Sequence, residues 1–218
     1  MDNLITYLIY THALFGGIGL ITGIISALAA KGLKTHRLTG KLFSFSMLVS
    51  SIFSLIVSVS PKHENPFLFL IGIFTIYMVL AGNNALKLKS KNEVNWKDKI
   101  VSRFMFFTSI IMILIGVIGT LKHIENSILF VFFGGFGLFM TLKDFQTFKK
   151  INETNSIWLK SHLGRMLGAL IASITAFMVV GLHLTSILAW ITPSIIGTCW
   201  IIFNNRRLEG IKNADESK

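Results

Sequence analysis

Six histidines carry most of the chemistry available to this chain: His12, His36, His63, His123, His162 and His183. Imidazole ligates haem iron and transition metals, and it gains and loses a proton near neutral pH. His36 and His162 each follow a hydroxyl residue, in Thr35-His36 and Ser161-His162, at the mouth of an apolar stretch. Two imidazoles at one depth suit a haem iron, a metal ion or an anionic ligand. The competing structural role is to anchor a helix start at the headgroup level, beside Arg37 and Arg165. His12 lies about eight positions into the first apolar stretch, roughly 12 Å below its outer boundary at the helical rise. An ionisable group at that depth faces the bundle and is a functional candidate, with His183 the nearest imidazole in depth. The expected cofactor-binding set is therefore His12, His36, His162 and His183, with His36 and His162 as metal ligands. Arg37 and Arg165 are charge partners for a haem propionate or lipid phosphate. His63 and His123 fall in polar turns and read as solvated. No H-x-x-x-H, H-E-x-x-H or G-x-S-x-G occurs, which argues against zinc and serine hydrolases.

These residues need helices to hold them in a bilayer. Seven apolar stretches, at about 4–30, 42–60, 67–86, 104–121, 127–143, 163–184 and 187–203, are long enough to cross one. Of the 21 Lys and Arg residues, 19 lie in segments 31–41, 87–103, 143–165 and 204–218, and only Lys62 and Lys122 fall between alternate spans. Short loops keep their cations on the cytoplasmic face, so the pattern predicts an all-α bundle of seven spans, N-terminus outside and C-terminus inside. The least secure turn is Leu184-Thr185-Ser186; losing it would put Arg206 and Arg207 outside, against the charge rule. The first apolar run lacks a positive leader and outlasts a signal peptide's core, so it is expected to remain as a helix.

Composition agrees: 52% of residues are hydrophobic and 14% charged. The net charge of +11 is dispersed over four loops, which favours anionic headgroups as partners and argues against nucleic acid. The single cysteine, Cys199, permits no intrachain disulfide. The expected location is the cell membrane, with the whole chain as one integral membrane domain.

The chain also repeats itself. Phe15-Gly16-Gly17-Ile18-Gly19-Leu20 recurs as Phe133-Gly134-Gly135-Phe136-Gly137-Leu138, Thr35-His36 as Ser161-His162, and Asn83-Asn84 as Asn204-Asn205. The order implies a parallel 3+1+3 arrangement: repeat one at about 4–86, a linker helix at 104–121, repeat two at about 127–205. The glycines read as close-packing seams. No Asp, Glu, Lys or Arg is expected deep inside a span.

His12 with its following glycines, His36-Arg37-Leu38-Thr39-Gly40, His162-Leu163-Gly164-Arg165-Met166, Thr175-Ala176-Phe177 and Trp190-Ile191-Thr192-Pro193 resemble a bacterial family of predicted membrane proteins of unknown function. The resemblance implies a polytopic helical protein and carries no activity. Three functions compete. The first is a b-type cytochrome-like protein binding haem between helices. The second is a small-solute transporter, because the 3+1+3 topology resembles the SWEET sugar carriers, with Asn84 and Asn205 as substrate contacts. The third is a membrane sensor or accessory subunit. No enzyme class is implied.

Overall fold

The computed structural model describes residues 2–88, 94–150, 157–184 and 186–216, with the side chains of 2, 180 and 207–216 left aside. Thr185, in the doubtful turn, lies outside that set, as do parts of the basic segments. The helices are α1 (Asp2–Leu28), α2 (Lys34–Ser58), α3 (Pro66–Lys87), α4 (Trp96–Leu121), α5 (Ser127–Lys149), α6 (Ile157–Ala176), a π-helical turn at Phe177–Gly181, and α7 (Ile187–Glu216). Seven of these are long and apolar enough to span a membrane, which gives the chain the build of a multi-pass membrane protein. The helical segment ending at Gly181 and α7 from Ile187 are distinct, so the seventh span is separate.

Polarity is distributed for a lipid solvent. Large apolar side chains such as Tyr7, Leu14, Ile21 and Leu28, seven apart on α1, face outward, while Ser44, Ser46, Ser50, Ser51, Ser102, Thr108 and Ser109 are buried. Lipid provides no hydrophobic drive between helices, so small and hydroxyl residues occupy the seams.

Helix α1 lies along α2, and α4 along α5; these are the tightest pairs. Helices α1, α2, α3 and α6 form one four-helix group, and α3, α4, α5 and α6 a second, sharing the α3–α6 pair. Helix α7 leans on α6 at the edge. The helix pairs do not follow the 3+1+3 scheme: α5, the counterpart of α1, grazes α6 and packs on α4 instead. Nor do the backbones of α2 and α6 approach one another; the two helices stand at opposite corners of the first group.

Only some of the repeated glycines serve packing. A Cβ on Gly134 would sit 2.9 Å from Met112 Cβ and 3.0 Å from the Ser109 carbonyl, and one on Gly19 2.8 Å from Met47 Sδ. Gly17 and Gly135 have nothing within 4 Å. The seam therefore uses one glycine of each pair. Gly134→Ala is expected to lower the unfolding free energy in detergent by about 1–3 kcal/mol through overpacking. Gly135→Ala is expected to leave it unchanged or slightly raised, and SDS-titration unfolding of both variants checks this.

Candidate functional site

Helix α5 extends past the predicted span end at 143 to Lys149, and α6 begins at Ile157 rather than 163. Hydropathy registers only the apolar middle of a helix, so the sequence reading ends span five at 143 and sets Arg165 at the headgroup level. The structure corrects it. Arg165 lies eight residues into α6, about 12 Å from its start, and forms an ion pair with Asp144 in which both side chains are 4% exposed.

Four helices build this centre. Asp144 Oδ1 accepts from Arg165 Nη2, while Oδ2 accepts from Tyr77 Oη of α3 at 2.5 Å and from Ser102 Oγ of α4 at 2.8 Å. Arg165 Nη2 also donates to the Met140 carbonyl at 2.7 Å, and Nη1 to Met140 Sδ at 2.9 Å. A carboxylate taken out of water must be paired and hydrogen-bonded, and here it is. Arg165 Nε is buried without a hydrogen-bond partner among the described residues. Arg165 is thus committed to an internal carboxylate, not to an interfacial anion as its sequence position suggested.

A cleft reaches Asp144 from the end of the bundle that holds the α3 C-terminus and the α4 N-terminus. Asn84, Asp98, Ser102, Asp144, Phe148 and Ser161 line it, and its cavity volume of about 20 Å³ holds about one water molecule. Asn84 Nδ2 donates to Asp98 Oδ1 at 2.6 Å, and Lys87 Nζ donates to Asn84 Oδ1 at 2.8 Å. Asn84, an expected substrate contact, therefore does lie at a polar site. Asn205 is on the peripheral α7, with its Oδ1 buried and unpartnered among the described residues, and the two asparagines share no site.

The histidines are placed differently. His12 Nδ1 lies 2.9 Å from the Ser50 carbonyl, and Ser50 Oγ donates back to the His12 carbonyl at 3.0 Å. His36 Nδ1 lies 2.9 Å from the Ser26 carbonyl, and Ser26 Oγ donates back to the His36 carbonyl at 3.3 Å. A carbonyl only accepts, so both Nδ1 atoms carry hydrogen. The two clasps are one device used twice. His12, Gly16 and Ser26 have the spacing H-x3-G-x9-S, and His36, Gly40 and Ser50 repeat it. Gly16 admits the Ser50 hydroxyl and Gly40 the Ser26 hydroxyl, with room for a Cβ only at 3.2 and 3.3 Å. The antiparallel α1 and α2 thus interlock symmetrically. The duplicated spacing was legible in the sequence but went unread.

His162 Nδ1 donates to the Gly82 carbonyl of α3 at 2.8 Å. His162 and His36 lie within electrostatic reach of each other, across the diagonal of the first group. His183 is exposed in the turn after α6 with φ 53°, outside any helix. Phe130, the repeat counterpart of His12, stacks edge-on against Phe67 at 5.1 Å. Arg37 is exposed in the first turn of α2. The four expected cofactor histidines are thus spread over α1, α2, α6 and the turn after α6. Among the described residues, no group of three or more His, Cys, Asp or Glu side chains could hold a metal ion.

Compared with protein-family models, curated proteins and solved structures, the chain has no match. The site is therefore read from its own chemistry.

Two sets of variants test this geometry. Removing one member of the buried pair, by Asp144→Leu or Arg165→Met, is expected to cost about 3–5 kcal/mol. The double variant is expected to cost much less than the sum, as measured by unfolding in detergent. At the clasp, His12→Asn puts an amide N–H where Nδ1–H stands and is expected to retain stability. His12→Gln, which mimics Nε2 instead, is expected to lose about 1 kcal/mol, as interhelical hydrogen bonds in membranes typically contribute.

Proposed function

We propose that the protein is a proton-linked transporter of small solutes in the cytoplasmic membrane, with the Asp144–Arg165 pair as its working centre. One observation carries the reading: a charged pair buried within the spans, where α3, α4, α5 and α6 converge. Charges inside a membrane are costly and mark ion and substrate pathways. The pair also joins α5 to α6, which share little backbone contact, so neutralising Asp144 removes the ionic part of a junction that Arg165 otherwise makes only to Met140 among the described residues. That is a bistable element of the kind that alternate access requires.

The charge pattern of the loops supports an N-terminus outside and a C-terminus inside, which makes the cleft cytoplasmic. Asn84 and Asp98 then offer the first polar contacts to a cytoplasmic solute. Sequence matches between the halves, rather than helix pairing, support a 3+1+3 duplication. A haem- or metal-binding reading draws on His36 and His162, whose Nδ1–H bonds to carbonyls leave Nε2 available. The ion pair is preferred because four helices meet at it.

Proton-linked uptake of a neutral solute moves charge. Currents from proteoliposomes on a solid-supported membrane, with monosaccharides, neutral amino acids and nucleosides applied in turn, test the reading. The expected result is a current for one class that vanishes in the folded Asp144→Leu/Arg165→Met double variant. Silence of the folded wild-type protein towards every class overturns it.

A further inference from the structure

We infer that protons reach Asp144 from the cleft end of the bundle through Asp98, making Asp98 the outer member of a two-carboxylate relay. The inference rests on the transport reading and specifies its route. Asp98 and Asp144 line one cleft, from α4 and α5 respectively. Asp98 is half-buried at the mouth, whereas Asp144 is buried at the base. Ser102 stands four residues after Asp98, on the same face of α4, and its hydroxyl donates to Asp144 at 2.8 Å. A hydroxyl both donates and accepts, so it can hand a proton to the carboxylate while taking one from the cleft side. The remaining gap has room for about one water molecule, the smallest carrier that completes such a chain.

The neighbouring charges suit passage in this direction. Asn84 holds Asp98 Oδ1, and Lys87 holds Asn84 in turn, so the outer carboxylate is fixed facing the cleft. At the base, Asp144 faces Tyr77 of α3, Ser102 of α4 and Arg165 of α6. The step balances as a proton transfer alone. A proton from bulk water binds the Asp98 carboxylate, passes through the cleft water and Ser102 hydroxyl, and ends on Asp144. Asp98 returns to its anionic form, and the Asp144–Arg165 pair loses its negative member. Arg165 keeps the Met140 carbonyl as an acceptor.

Time-resolved infrared spectroscopy of the full chain in lipid, after a rapid drop in pH, reads the carboxyl band of protonated Asp144, assigned by its loss in Asp144→Asn. In Asp98→Asn the band is expected to reach its wild-type amplitude about a hundredfold more slowly. Added formate, a small weak acid able to enter the cleft, is expected to restore the rate. Ser102→Ala is expected to be slow as well, but without rescue by formate. An unchanged rate in Asp98→Asn overturns the route, as does a slowing that formate does not relieve. Either result leaves the solute currents of the wild-type protein standing, so failure of the route is distinct from failure of the transport reading.

Discussion

In a bilayer no water is at hand to satisfy a polar group, so each must find its partner inside the protein. Asp144 shows how far this constraint shapes the bundle. Its two oxygens draw on α3, α4 and α6, and thereby fix three helices around a fourth. Helices α5 and α6 share little packing surface, and the ion pair supplies what packing does not. The second four-helix group is therefore assembled around a charge, and its geometry depends on that charge remaining.

The first group is held by other means. Helices α1 and α2 combine close backbone approach at Gly16, Gly19, Gly23 and Gly40 with two neutral clasps between histidine and serine. Each clasp engages Nδ1 of the imidazole and leaves Nε2 out of the bond. The hairpin is tied by imidazole, hydroxyl and backbone carbonyl, whereas the α5–α6 junction is tied by a buried carboxylate and guanidinium. The two halves of the molecule are thus held by different chemistry. The α3–α6 pair belongs to both halves, with Gly82 accepting from His162 and lying against Met166 and Arg165.

Much of the fold was legible because lipid imposes simple rules. Span number followed from hydropathy, and seven helices long and apolar enough to cross a membrane are present. The ends were less legible. Helices α4, α5 and α6 run further than the apolar windows, and the extra turns hold Asp98, Ser102, Asp144 and Ser161. A charge at a predicted boundary gives no sign of whether it snorkels outward or turns in; that depends on a partner 21 residues away in sequence. Histidines drew attention because of their type, yet type alone could not tell a clasp from a ligand. The spacing shared by His12, Gly16 and Ser26 with His36, Gly40 and Ser50 held that information.

The two kinds of tie differ in when they can form during synthesis. Every residue of the double clasp lies within α1 and α2, so the first hairpin can satisfy its own polar groups before α3 exists. Asp144 draws on three other helices. Tyr77 and Ser102 belong to α3 and α4, which are made before α5, so two neutral donors await the carboxylate when it arrives. Only the cationic partner comes afterwards, with α6, so the charged junction closes last.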